Sequence, residues 1–367
     1  MIKKILCLIL CAALLAGCRN SGNKVGETKQ KNEKSETLEA QKEIFAMDTY
    51  MTIKTYGDKA DEAAEAAVDE ITRLDKLFST GNNESEIAIL NESGSEILSK
   101  ETFSIVEKSC ELYKNTAGAF NIAVYPLMKE WGFTNEKYNI PDDKTIKKLL
   151  KYIDVSKIEY DANTRQVVLP QNYEIDLGGI AKGYTSARLM QIFKKYGLSG
   201  GIVSLGGNVQ TYGYKSENKK WKVAVENPET SPLDGDYLGV LDITDKAVIT
   251  SGGYERYFEK NGKRYHHILN PKTGKPADSG LISVSIISSD GTLSDGLSTS
   301  LFIMGKQKGI KYWQKNKDKF DVVWLENDGT VTITDGIEDV FSSDFKYSVV
   351  GCVRNKLRLS KLQKYNK

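Results

Sequence analysis

Histidine is nearly absent from this chain, with two residues in 367, and cysteine and proline are scarce at five and seven. Three of the five cysteines fall within the first 18 positions, so only Cys110 and Cys352 belong to the body. Neither a disulfide framework nor a Cys/His zinc site can be assembled from that supply. Cys110 lies on the apolar side of a helical pattern and reads as a small buried thiol. Charge of one sign is missing too: 51 Lys and Arg oppose 49 Asp and Glu, a formal net charge of +2. That balance gives no footing for a polyanion, and no nucleic-acid partner is expected. Nor is there an apolar run of the ~20 residues that a membrane-spanning helix needs. What remains is ordinary globular usage, 40% apolar and 27% charged, in a chain long enough for a large core.

The longest apolar run, Ile5 to Leu15, follows Lys3 and Lys4 and ends in Leu15-Ala16-Gly17-Cys18. A cationic start, a short apolar stretch and small residues are the layout of a secretory signal peptide. The ending resembles a bacterial lipobox. On that reading residues 1–17 are a lipoprotein signal peptide, and Cys18 is the lipidated first residue of a chain anchored outside the cell membrane. An ordinary cleaved signal that leaves Cys18 free is the alternative. Removing Lys3 and Lys4 leaves 49 basic and 49 acidic residues. Residues 18–42 are polar and almost free of large apolar side chains, so they read as a flexible tether. From Lys346 onward there are seven basic residues and no acid. Residues 346–367 therefore form a basic tail, either lying on anionic headgroups or solvated without a partner.

Between these ends, residues 43–345 read as one domain without a linker or a repeat. Ala60, Ala64, Ala67, Ile71, Leu74 and Phe78 recur in steps of three, four and seven, one stripe of an amphipathic helix. Phe103, Val106, Cys110, Tyr113 and Ala117 make a second helix, with Gly118 as its left-handed cap. Strands are expected at Tyr173–Leu177, Ile202–Leu205, Trp221–Val225, Ala247–Thr250, Leu281–Ile287, Phe320–Leu325 and Thr330–Thr334. Helices near 181–196, 295–304 and 306–315 interrupt them. That order is neither alternating nor segregated, so the fold class is α+β with a mainly antiparallel sheet.

Three segments carry chemistry. In Glu174-Ile175-Asp176-Leu177-Gly178-Gly179-Ile180-Ala181-Lys182-Gly183-Tyr184 an apolar stretch runs through two glycines into a helix with a lysine in its first turn. Glycines let backbone N–H groups approach a phosphate, a helix N-terminus favours anions, and the lysine adds a point charge. A plain tight turn is the alternative. In Asp295-Gly296-Leu297-Ser298-Thr299, positions i and i+4 share a helical face, so carboxylate and hydroxyl converge. Two protein oxygens suit Mg²⁺, which completes its shell with water and substrate phosphates; alternatively Asp295 only caps the helix. Finally, His266 and His267 are adjacent in Tyr265 to Gly274. Extended neighbours face opposite sides, so one of them is available as a general base and the other is a packed or solvent-facing ring.

Ala46-Met47-Asp48-Thr49, Ser85-Glu86, Gly118-Ala119-Phe120-Asn121, Asp176 to Tyr184, Leu205-Gly206-Gly207-Asn208, Thr250-Ser251-Gly252, His267 to Gly274 and Asp295 to Thr299 together resemble the ApbE family in order and spacing. The likeness covers about residues 43–345. It implies a T-fold-like α+β architecture, a mainly antiparallel sheet with flanking helices, and FAD:protein FMN transferase activity. Such enzymes cleave FAD with Mg²⁺, pass FMN to a Thr or Ser hydroxyl of an acceptor protein and release AMP; many are lipoproteins.

By that resemblance FAD, the substrate, is held around Met47, Ala119, Phe120, Asn121, Asp176, Lys182 and Leu269. Mg²⁺ is bound by Asp295, Thr299 and the Gly179 carbonyl, and His267, Asp295 and Lys182 are catalytic, His267 assisting deprotonation of the acceptor hydroxyl or orienting phosphates. The implied acceptor is a membrane electron-transport subunit or an extracellular reductase. The chain departs from the family at Thr80-Gly81-Asn82, where an aromatic is common, at Asn121 and Asn270, where acids are frequent, and at Ala187, where Asp is common. Two other readings stay open: an FAD pyrophosphatase giving FMN and AMP, and a non-catalytic extracellular flavin-binding lipoprotein.

Overall fold

A computed structural model describes residues 38–215, 218–230 and 236–351. The signal segment, Cys18, most of the tether and most of the basic tail lie outside the described residues. Nine strands, numbered along the chain, form the main sheet: β1 (Glu39–Ala46), β2 (Thr49–Tyr56), β3 (Gly200–Leu205), β4 (Asn208–Gly213), β5 (Ala247–Gly252), β6 (Leu281–Ser288), β7 (Asp321–Glu326), β8 (Val331–Thr334) and β9 (Tyr347–Val350). They lie side by side in chain order. All neighbours pair antiparallel except β8 and β9, which run parallel. The class is α+β, as expected.

Helices α1 (Ala60–Phe78), α2 (Lys100–Asn115), α3 (Ala181–Tyr196), α4 (Gly291–Met304) and α5 (Lys306–Gln314) include the expected ones. The α1 stripe seats Ala63, Ala64, Ala67 and Ile71 against Met51, Ile53 and Val203 of the sheet. A smaller sheet of Trp221–Glu226, Tyr237–Ile243 and Phe341–Ser342 covers the other side, packing Trp221, Val223 and Leu241 with Val248, Ile287 and Val323. Strand β6 lies between the layers, and from Ser283 to Ser288 every residue is buried.

Four expectations need correction. The body starts before residue 43, because Glu39–Lys42 belong to β1 and pair with Ile53–Tyr56. The strand is polar because it is an edge: Glu39, Gln41, Glu43 and Phe45 are exposed, and Lys42 reaches back to Asp61 of α1 at 2.9 Å. The body also ends after 345, since β9 joins the sheet through Val331–Thr334. Tyr173–Leu177 is extended but is no ladder strand. The Asn91 side chain takes both backbone groups of Ile175, at 2.7 and 2.8 Å, and the Asp176 N–H donates to the Ile122 carbonyl at 2.8 Å. Lastly, α4 begins at Gly291 with Asp290 as its cap, accepting from the Leu293 N–H at 3.0 Å, so Asp295 lies one turn inside and caps nothing.

Gly118 is left-handed as expected, together with Ala117, and follows the C-cap Thr116. Cys110 is a half-buried thiol that desolvation pushes up to about 12.

Candidate active site

Where α3 and α4 cross, small residues bring two backbones into contact. A Cβ on Gly183 would stand 2.2 Å from the Gly291 carbonyl oxygen and 2.5 Å from the Asp295 Cβ, closer than any real contact. The proximity lets the Gly183 N–H donate to Asp295 Oδ2 at 2.8 Å, while Asn208 Nδ2 donates to Oδ1 at 3.2 Å. Helix α3 has no side-chain cap. Gly179 and Lys182, at its positive end, line the cleft, and the Asp295 carboxylate is set against that first turn. One turn along α4, Thr299 Oγ1 lies 3.2 Å from Ser251 Oγ, which is itself 2.7 Å from Ser298 Oγ. Gly178 donates to Asp176 Oδ1 at 2.9 Å, and burial raises the Asp176 carboxyl against the pull of Arg256 and Lys182.

The hairpin between β1 and β2 turns on Met47 and Asp48, both non-glycine residues at positive φ, 48° and 58°. Such strain persists only where surrounding structure fixes it. Here the Met47 N–H donates to Asp75 Oδ1 at 3.2 Å, and Thr185 Oγ1 approaches the Met47 sulfur at 3.8 Å.

On the remaining wall, the hairpin of Tyr257–Lys260 and Lys263–His266 ends at His267. Its Nδ1 lies 3.1 Å from the Arg256 carbonyl, and a carbonyl only accepts, so Nδ1 carries the hydrogen and Nε2 is left as an acceptor. Burial, reinforced by the positive charge of Arg256, drives the imidazole down to about 3. That shift favours the neutral ring near neutral pH. His266 faces away, bonded through Nε2 to the Ala277 carbonyl at 3.0 Å and set edge-on to Phe302, the packed partner expected from strand alternation.

The structure brings the expected residues together. Ala119, Phe120, Asn121, Asp176, Gly179, Lys182, His267, Leu269, Asp295 and Thr299 all line one cavity. Met47 lines two adjoining cavities that share Lys182 and Arg256 with the first. Ser85 and Glu86 are structural: Ser85 caps the helix Glu86–Ser93, and Glu86 accepts from the Ser99 N–H at 3.1 Å. Asn121 is needed as an amide, since it accepts from the Ala123 N–H and donates to the Ile153 carbonyl, both at 2.8 Å. Asn270 accepts from the Lys272 N–H at 2.9 Å. Ala187 lines none of the three cavities, so its missing carboxylate does not bear on the cleft.

Two residues of the cleft were missed. Arg256 anchors its guanidinium on the Phe133 carbonyl at 2.8 Å. Glu255 opens to solvent at the cleft mouth, yet the surrounding protein raises its carboxyl to about 7, assisted by the negative charges of Glu226 and Asp295. An adjacent acid and base four residues beyond Ser251 were the signal available, but a loop has no periodicity to mark them.

The donor set fits a hard cation. Each Asp295 oxygen has spent one lone pair on an N–H and keeps another, Thr299 offers a hydroxyl, and Gly179 lines the same cavity. No cluster of three His, Cys, Asp or Glu able to hold a metal occurs among the described residues. A cation held here would take its remaining ligands from substrate and water, the pattern that suits Mg²⁺.

Fold and cleft define an α+β protein that sets a helix N-terminus, a lysine and a hard-cation donor set around one cavity of about 170 Å³ beside a histidine. The chain belongs to the ApbE family, whose sequence profile matches residues 47–324. It is 31% identical over 300 residues to the FAD:protein FMN transferase of Klebsiella pneumoniae (strain 342), covering 80% of this chain and 92% of that one. The Treponema pallidum (strain Nichols) enzyme of the same name is 28% identical over 312 residues, 79% of this chain and 85% of that one. Among solved structures, the ApbE protein of Thermotoga maritima superposes with a TM-score of 0.77 at 31% identity, covering 83% of this chain and 99% of its own. The flavin transferase ApbE of Vibrio cholerae shares the fold, with a TM-score of 0.73 at 24% identity over 83% of this chain and 99% of that one.

Proposed function

We propose that this chain is an FAD:protein FMN transferase. The acceptor Thr or Ser oxygen bonds to the FMN phosphorus, the pyrophosphate P–O bond breaks, AMP leaves, and the hydroxyl proton passes to a base in the cleft. The observation that carries this reading is the convergence of Lys182, Asp295, Thr299 and His267, from distant parts of the chain, on one cavity. Asp295, Thr299 and the Gly179 carbonyl would hold Mg²⁺, which when bound supplies neutralisation of the charge on the pyrophosphate. Lys182 and the α3 N-terminus orient the phosphates, and positioning with electrostatics is most of phosphoryl-transfer catalysis. His267 Nε2, an acceptor without a hydrogen, takes the hydroxyl proton as the new bond forms; the Glu255 carboxyl, whose proton affinity the surrounding protein raises, is the second group able to take a proton.

Incubating the full chain with FAD and Mg²⁺, with and without a Thr-bearing flavinylation-motif domain, tests this. AMP release matched by an FMN mass increment on the acceptor is the expected result. AMP with free FMN alone, despite a competent acceptor, makes it a pyrophosphatase. Gly81 gives that rival some support: it lines the cavity beside Asp176 and Lys182, and the one atom within 4 Å of a Cβ there is Ser79 Oγ at 3.8 Å, leaving space where an aromatic wall would stand. FAD bound but not consumed would leave a flavin-binding protein.

We further propose that Cys18 is lipidated and holds the enzyme on the extracytoplasmic side of the cell membrane, facing membrane electron-transport or extracellular reductase acceptors. The lipobox-like Leu15–Cys18 and the polar residues that follow support this. Labelled palmitate incorporated by the wild type and not by Cys18→Ala is the expected outcome.

A further inference from the structure

Beside the cleft runs a groove of about 510 Å³ between the end of α2, the Asn270–Lys272 turn and helix α5. Lys272, Lys308, Lys311, Lys315 and Lys319 line it, and no Asp or Glu does. All five are exposed, and among the described residues none of them makes an ion pair. General basicity does not explain the cluster. The seven basic residues from Lys346 onward leave the mature chain before them at net −7, with 49 basic and 49 acidic residues in all. Lys308, Lys311 and Lys315 stand at i, i+3 and i+7, one side of a helix over about 10 Å, which an extended chain covers in about three residues.

We propose that this groove docks an acidic segment of the acceptor protein next to its flavin-accepting hydroxyl. The inference rests on transfer to a protein acceptor. Ala119, Pro271 and Ile303 line both the groove and the catalytic cavity, so a chain lying in one enters the other. The nucleotide does not account for five lysines, because Lys182 and Arg256 line the catalytic cavity and would meet its pyrophosphate there. A planar bilayer meets protruding side chains, whereas these line a recess that also contains Ile303, Met304 and Tyr312. Opposite charge across such a contact sets on-rate and choice of partner and weakens with salt.

The test uses the full chain in detergent with FAD and Mg²⁺, and two fluorescein-labelled peptides carrying one threonine, flanked by four glutamates in one and four glutamines in the other. Anisotropy should show the glutamate peptide bound at least tenfold tighter, with the advantage fading by 0.5 M NaCl. Lys308→Gln/Lys311→Gln/Lys315→Gln should erase the difference and leave FAD affinity unchanged. The corresponding triple Lys→Glu variant should prefer a lysine-flanked peptide. Equal binding of the two peptides by the wild type, or an unaltered preference in the triple variants, overturns the proposal. So does a fall in FAD affinity without a change in peptide preference, which would give the lysines to the nucleotide. Loss of binding to vesicles containing 30% phosphatidylglycerol, with peptide preference intact, would give them to lipid. Docking as expected, without FMN on any peptide, would count against the transferase reading and not against the groove.

Discussion

On the α3–α4 wall of the cleft, the polar groups have fixed partners and two glycines bring the backbones into contact: Asp295 holds two N–H donors, Ser186 bonds Gln210 at 2.6 Å, and Ser251 bonds Ser298. On the wall of Glu255 and His267, the surrounding protein has instead moved two protonation equilibria in opposite directions, the acid up and the base down. Partial loss of hydration beside protein disfavours whichever form is charged, so one cause leads both shifts. A close-packed wall whose polar groups are held in place suits gripping a cation and phosphates while charge builds on the leaving oxygen. A wall that pairs an acid shifted up with a base shifted down suits proton movement. The cleft thus divides grip from proton handling between its sides, and substitutions can separate the two.

Gly183→Ala should do the most damage, because the added methyl meets the Gly291 carbonyl at 2.2 Å and the helices must part. About 3 kcal/mol of stability is lost by overpacking, read as a fall of several degrees in Tm. FAD cleavage falls about a hundredfold, since a shift of about 1 Å at a positioned site has that effect. Unchanged turnover in this variant would show that the grip does not depend on the helix contact. Asp295→Asn keeps the shape, and Asn208 can turn its own amide to meet the new one. It removes the charge only, so cleavage should fall about 10²–10³-fold with Tm within about 2 °C of wild type.

His267→Ala should slow transfer by about a hundredfold, the usual worth of a general acid–base group, without weakening FAD affinity more than about threefold. If transfer stays at the wild-type rate, the proton-handling role of that wall is wrong. Glu255→Gln tests the same wall through pH. The folded protein holds the Glu255 proton up to about 7, against an ordinary value of 4.5. Its contribution to stability is therefore fully present below 4.5 and lost as pH rises through 7. Glutamine does not titrate, so the Tm of Glu255→Gln in metal-free protein should gain on wild type from pH 4.5 to 8 and level off above. A gap that does not vary with pH would mean Glu255 is solvated like any surface carboxylate.

The division between walls was only partly legible in the sequence. Steps of three, four and seven marked α1 because its buried face is continuous, and β6 was legible because both its faces are buried. Edge strand β1 was not, since an exposed face and a lysine bridged to α1 look like a polar tether. Tyr173–Leu177 has the composition of a strand, but its hydrogen bonds go to the Asn91 side chain, a partner 84 residues away that no local pattern shows. Convergence in space is likewise invisible to spacing: Met47, Asp176, His267 and Asp295 could be grouped only through the resemblance of ordered motifs. Glu255 became conspicuous only when its surroundings did, because nothing about a glutamate in a loop tells how much protein will surround it.

The smallest expected effect is Ser298→Ala. Its hydroxyl bonds the Asp295 carbonyl at 2.8 Å and Ser251 at 2.7 Å, and Ser251 also reaches Thr299 at 3.2 Å. Removing two hydrogen bonds from a buried network costs about 1 kcal/mol each, a fall of several degrees in Tm. Ser251 then has one partner left, the Thr299 hydroxyl, and competes for it with the cation. Affinity for Mg²⁺ in the presence of FAD should fall about threefold while the rate at saturating Mg²⁺ holds. A change confined to the saturating rate would place Ser298 with the proton-handling wall and end the separation of the two sides.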